Sequence, residues 1–110
     1  MNGLEILRQA FDNALAVGED VTEDALLRED LALESFDKVE LLTCLKAAIT
    51  SVNADAATAA TTAVEEKLTP LFEHLQKNES IAEETGERPE DDPALDITCG
   101  TLANLIDTFL

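Results

Sequence analysis

Residues 26–49 read LLREDLALESFDKVELLTCLKAAI, an acidic loop that stops at Ser35 and an amphipathic run that begins there. At 100° per residue, Leu41, Leu42, Leu45, Ile49 and Val52 gather on one helical face, which marks that face as core. Phe36, Val39, Thr43 and Ala47 fall at spacings of three, four and four on nearly the opposite side, flanked by Asp37 and Glu40. This smaller apolar stripe has no core to enter. Ser35 stands before the helix, where its hydroxyl can cap free amides of the first turn and where the helix dipole favours negative charge. A phosphate attached at Ser35 would be well placed for the same reason.

Asp30, Leu31, Leu33, Asp37, Val39, Glu40, Leu41 and Leu45, arranged without a gap around Glu34-Ser35-Phe36, resemble the central segment of acyl carrier proteins. That family carries an Asp-Ser-Leu motif between an acidic loop and a recognition helix. The resemblance implies that a separate phosphopantetheinyl transferase esterifies Ser35 with 4'-phosphopantetheine, whose terminal thiol then holds acyl cargo as a thioester. It also implies that Glu34, Phe36, Asp37, Val39 and Glu40 form the docking site for that transferase and for acyl-loading, elongating or acyl-transferring enzymes. Taken alone, a serine before an amphipathic run is a helix cap and nothing more.

Composition bounds the class of the protein and excludes several others. A chain of 110 residues makes one domain with a single core. Seven basic against twenty-four acidic residues leave a net charge of −17, which repels nucleic-acid backbones and anionic membrane surfaces and favours partners with basic patches. Four phenylalanines with no tryptophan or tyrosine give no platform for stacking bases, and no apolar run is long enough to cross a bilayer. The start, MNGLEILRQAF, lacks the basic flank and apolar stretch of a secretory signal, so the expectation is a cytoplasmic, monomeric protein. Cys44 and Cys99 are too few and too far apart for a disulfide framework and are expected to be reduced, with a redox-sensitive pair as the alternative. No histidine or cysteine cluster has metal-ligand spacing.

Along the chain, residues 4–15 predict a first helix with Leu4, Leu7, Phe11, Ala14 and Leu15 facing the core and Gly18 ending it. Residues 16–34 predict a long acidic connection tacked down by Val21, Leu26, Leu27, Leu31 and Leu33, with a short turn capped by Thr22. Residues 97–110 predict a last helix with Thr98 as cap and Leu102, Leu105, Ile106 and Phe109 inward, resembling the last helix of the carrier fold. The resemblance thus covers residues 1–49 and 97–110, and residues 50–96 stand as an insertion within a single domain spanning 1–110. In that insertion Ala57, Ala60, Val64, Leu68, Leu71, Phe72 and Leu75 form a helical stripe, with Asn53 or Asp55 available as cap. Pro70 predicts a kink or, better, a new helix capped by Thr69. Residues 78–96, NESIAEETGERPEDDPALD, predict a mobile acidic linker or else a docking segment for a basic partner. His74, beside the apolar stripe, reads as a partly exposed helix residue rather than a catalytic base.

Departures from the family pattern bear on partner choice. Glu34 replaces the aspartate, Phe36 the leucine, and Ala32 a common glycine, the last being mild if its φ is negative. Lys46 and Ala47 stand where carriers of primary fatty-acid synthesis are acidic, which weakens the usual anionic docking face. The fold expected is therefore all-α, an acyl-carrier-like four-helix bundle with an additional helical insertion and an acidic linker. The function expected is a stand-alone, non-enzymatic carrier for a specialised fatty acid, lipid or polyketide pathway. The rival is a helical adaptor that keeps the fold without the modification; a hydrolase using Ser35 ranks well behind, because the chain has one histidine and no nucleophile-elbow sequence.

Overall fold

The computed structural model describes residues 1–110 and is all-α: helices α1 (Gly3–Leu15), α2 (Lys38–Asn53), α3 (Ala57–Thr85) and α4 (Cys99–Phe109), with 3₁₀ turns at Gly18–Asp20, Ser35–Asp37 and Pro93–Leu95. One hydrophobic core takes the inward faces of all four helices and of the 16–34 connection. The 29 residues of α3, at about 1.5 Å each, account for the 45 Å long axis of the molecule. No helix is long and apolar enough to cross a membrane.

Helix α1 begins where the Asn2 side chain accepts the Glu5 amide at 2.9 Å, satisfying one of the free donors of its first turn. Its buried face is Ile6, Leu7, Ala10 and Phe11, whereas Leu4, Ala14 and Leu15 lie only partly covered. The face is therefore turned by about one residue from the expected one. The helix ends at Ala16 in the left-handed conformation, φ 57°, and not at Gly18. Gly18 is needed for space: a Cβ there would lie 2.6 Å from the Asp12 Cβ. Gly3 plays the same part at the α1–α4 crossing, where a Cβ would stand 2.1 Å from the Ala103 carbonyl oxygen.

The 16–34 connection is pinned as its apolar residues predict, with Val21, Leu27, Leu31 and Leu33 buried and Leu26 half-buried. Backbone bonds add to this. Cys99 and Gly100 donate to the carbonyls of Ala25 and Glu23 at 2.8 and 2.9 Å, and Leu27 donates to Ile97 at 2.9 Å. The loop is thus fastened to the start of α4, where the Thr98 hydroxyl accepts the Thr101 amide at 3.2 Å as a cap should. Cys99, Leu102, Ala103 and Ile106 of α4 are buried, and Leu105 and Phe109 pack at the core's margin. Ala32 has φ 55°, so the glycine-like backbone is kept although the glycine is absent.

Helix α2 buries Leu41, Leu42, Leu45, Ala48 and Ile49, but Val52 is 39% exposed because the helix ends one residue later. The largest correction concerns α3. One helix runs through Pro70, and no new helix starts with Thr69 as its cap: the Thr69 hydroxyl donates back to the Glu65 carbonyl at 2.9 Å, as a mid-helix threonine does. Interior proline costs about 3 kcal/mol, and the row Val64, Leu68, Leu71, Phe72 and Leu75, buried on one face, offsets that cost. Neither Asn53 nor Asp55 caps α3; Ala56 holds the cap position without a side-chain bond. The helix then continues to Thr85 and stops at Gly86, φ 80°, whose amide donates to Ala82 at 2.8 Å. Residues 78–85, expected to be linker, are therefore helical.

Candidate functional site

The cap of the turn that opens α2 falls on Glu34, not on Ser35. Asp37 Oδ2 accepts the Glu34 amide at 2.9 Å, and the Asp37 amide donates to the Glu34 carbonyl at 3.1 Å. This reciprocal pair satisfies the chain's entry into the helix and releases the Ser35 hydroxyl from capping. That hydroxyl instead donates to Glu79 Oε2 of α3 at 2.5 Å. The donation holds the Glu79 carboxyl below its ordinary pKa; burial opposes this, and the Ser35 amide and the Arg88 charge reinforce it. Glu79 is ionised at neutral pH, and a carboxylate faces the hydroxyl.

Around this pair lies a clasp of two arginines and two further carboxylates. Arg28 reaches Glu34 Oε1 at 2.5 Å through Nη1 and Asp91 Oδ2 at 2.7 Å through Nε, and its Nη1 also donates to the Leu33 carbonyl at 2.9 Å. Arg88 sits opposite, 3.2 Å from Asp91 and 3.6 Å from Glu34. Burial works against the charge on Arg28, yet bonds to Asp91 and Glu34 outweigh it and leave its pKa raised. For Asp91 burial again opposes the charge, and Arg28, Arg88 and Asn78 together bring its pKa below the ordinary value. Asn78, buried on α3, gives its amide to Asp91 at 3.2 Å. His74 accepts the Asp92 amide at 2.9 Å through Nε2, so its role is to tie the 86–96 segment to α3. Asp96 completes the fastening by accepting the amides of Arg28 and Glu29, each at 3.0 Å. The segment expected to be a free acidic linker is thus bound along much of its length.

Beside Ser35 the surface turns apolar. Phe36 and Val39 are 77% and 75% exposed, the most exposed large apolar residues of the chain, as their place opposite the core face of α2 predicts. An open groove of about 500 Å³ runs between them and α3; Phe36, Lys38 and Val39 form one wall, and Thr69, Phe72, Glu73 and Gln76 the other. The Lys38 ammonium lies 6.0 Å from the Phe72 ring centre, at the edge of cation–π range. Of the residues expected to meet partners, Phe36, Val39 and Glu40 are exposed, while Asp37 and Glu34 are partly covered, the latter within the clasp. Lys46 and Ala47 are both exposed on the same helix.

Glu79, Arg28, Arg88, Asp91 and Asn78 were not legible as site residues. One signal did exist. Asn78 and Glu79 fall three and four residues after Leu75, where the stripe of α3 calls for another apolar position. Polar residues at core spacing mark a helix that goes on to meet a polar surface. Cys44 and Cys99 are free, and burial, helped by Asp30 and Asp96, pushes the Cys99 thiol up to about 11. Comparison of the chain with protein-family models, curated proteins and solved structures gave no match.

Proposed function

We propose that the chain is a stand-alone carrier protein that holds acyl intermediates as thioesters on a 4'-phosphopantetheine arm esterified to Ser35, in a specialised fatty acid, lipid or polyketide pathway. In this reading α1, α2 and α4 are the carrier helices, and residues 50–96, which include α3 and the acidic segment after it, are the insertion that packs against them. One observation carries the proposal: the Ser35 hydroxyl is free of any capping duty at a helix start and stands beside Phe36 and Val39, large apolar side chains held in solvent. A protein keeps such residues exposed at little structural gain, and their use is contact with another molecule.

The residues around Ser35 suit the arm. Phe36, Val39 and Phe72 offer apolar contact for its carbon segments, and Lys38, Thr69 and Gln76 offer polar partners for its amides. The arm supplies the thiol, and partner enzymes supply the acyl chemistry, so the carrier itself is not an enzyme. Its own residues present the arm and orient the encounter. With a net charge of −17, it is steered toward basic docking patches on a transferase and on cytoplasmic acyl-handling enzymes.

A second reading has its own support. The Ser35–Glu79 bond at 2.5 Å makes the hydroxyl part of an interhelical tie, which suits an unmodified helical adaptor. Treatment of the full chain with coenzyme A and phosphopantetheinyl transferases, read by intact mass, separates the two. Gain of one arm supports the carrier, and no gain with several transferases supports the adaptor.

A further inference from the structure

Resting on the carrier reading, we propose that Glu79 takes the Ser35 proton during attachment of the arm, so that this protein brings its own general base to its modification. In the step envisaged, Ser35 Oγ attacks the phosphorus of coenzyme A that bears the pantetheine group. The Oγ–P bond forms and the P–O bond to the nucleotide phosphate breaks, that phosphate leaving as adenosine 3',5'-bisphosphate. The hydroxyl proton passes to Glu79 Oε2. Atoms and charge balance with coenzyme A as the only co-reactant.

Three observations carry the proposal. First, the acceptor is already in contact: Oγ donates directly to Oε2, with no group between them. Second, no salt bridge holds the Glu79 carboxylate, although the Arg88 charge nearby helps to lower its pKa. Arg28 is committed to Glu34 and Asp91, and Arg88 stands against the same two residues. Third, the position is built. Glu79 lies on the far end of a 29-residue helix that passes an interior proline, and Asn78 beside it is buried and bonded to Asp91, which the arginines lock to Glu34 next to Ser35. The clasp thereby brings an α3 residue to the hydroxyl across 44 positions of sequence.

Chemistry favours this use of a carboxylate. Phosphoryl transfer to a serine hydroxyl passes through a loose transition state in which the nucleophile loses its proton late, and an ionised carboxylate that accepts the hydroxyl hydrogen both orients the lone pair and receives that proton. Glu79 is ionised at neutral pH, and its lowered pKa makes it a weak base that takes the proton only as the Oγ–P bond forms. A purely structural tie would need only an acceptor, which glutamine also provides.

The test compares the full-length wild type with Glu79→Gln and Glu79→Asp, using one phosphopantetheinyl transferase and coenzyme A, with loading rates read by intact mass over a range of carrier concentrations. Circular dichroism and melting show that each variant is folded. Glu79→Gln is expected to lower the maximal rate by about 10²-fold, the lower end of the range for a lost general base, with the apparent KM for carrier held within about threefold. Glu79→Asp, which keeps a carboxylate on a shorter stem, is expected to recover part of the rate. Loading of Glu79→Gln at the wild-type rate or faster overturns the inference and leaves the carrier reading intact, Glu79 then being a tie or a cover. A wild type that none of several transferases loads overturns the carrier reading and this inference together.

Discussion

Arg28→Ala tests the clasp that gives the site its shape. Arg28 makes two charge-assisted bonds, to Asp91 at 2.7 Å and Glu34 at 2.5 Å, and a third bond to the Leu33 carbonyl at 2.9 Å. Bonds of this charged kind contribute about 1.5–3 kcal/mol when enclosed and about 0–1 kcal/mol when fully exposed. Here the three side chains are 18%, 28% and 27% exposed, which places each ion pair near the middle, at about 1 kcal/mol. Loss of the carbonyl bond adds about 0.5–1 kcal/mol, for a total of about 2.5–3 kcal/mol. At about 2.1 cal/mol/K per residue, melting of 110 residues moves by about 11–13 °C.

The same clasp leaves a signature in pH. The folded-state pKa values of Asp91 and Glu79 are depressed below their ordinary values of 3.8 and 4.5, so their contribution is fully present above about pH 5 and drains away as pH falls through the folded values. Arg28→Ala removes the principal cation from Asp91 and should flatten that acid limb. Urea melts of both proteins at pH 7 and pH 3.5 measure the two effects. A variant within about 0.5 kcal/mol of wild type at pH 7, the scatter of ordinary surface changes, with an unchanged acid limb, would refute the reasoning.

Ala32→Gly should stabilise the protein by about 1 kcal/mol, because a Cβ at φ 55° is strained and glycine is not, with thermal melting as the check. Native alkylation should stop at one adduct, on half-buried Cys44: Cys99 is buried with its thiol held at about 11, above the usual 9.0, so the stability of its neutral form is complete below pH 9 and is lost as pH rises through 11. Two adducts in the folded protein at pH 8, found by peptide mass mapping, would contradict that. Lys46→Glu with Ala47→Glu should speed loading by enzymes of ordinary fatty-acid synthesis whose basic patches prefer acidic helices; an unchanged rate would show that this face does not set partner choice.

Periodicity made much of the fold legible, because a helix that faces one core must repeat its apolar residues near 3.6 positions. Leu41, Leu42, Leu45 and Ile49 of α2, and the whole stripe from Ala57 to Leu75 of α3, were identifiable on that ground and are buried. Pro70 misled because its local clash is real but smaller than the packing of Leu68, Leu71 and Phe72 around it. The last turns of α3 were hidden for another reason. They are held by Asn78 and Glu79 through bonds outside the helix: Asn78 bonds Asp91, which in turn bonds Arg28 across 63 positions, and Glu79 bonds Ser35 across 44. No local pattern reports pairs of that kind. At Ser35 residue type pointed to a cap, yet Asp37 reaches the Glu34 amide and makes that duty unnecessary. The apolar surface at Phe36 and Val39 was readable because it lies on the wrong side of an otherwise well-defined core face.

The most direct test of the central proposal is the intact mass of the wild type and of Ser35→Ala after incubation with coenzyme A and a broad-specificity phosphopantetheinyl transferase. Ser35→Ala removes one bond to Glu79 and no cap, at a cost of about 1 kcal/mol, so the variant should remain folded. The account predicts that the wild type gains the mass of a single arm and that Ser35→Ala gains nothing. A wild type that keeps its unmodified mass with every transferase tried, or a Ser35→Ala protein that is loaded as well as the wild type, would contradict it.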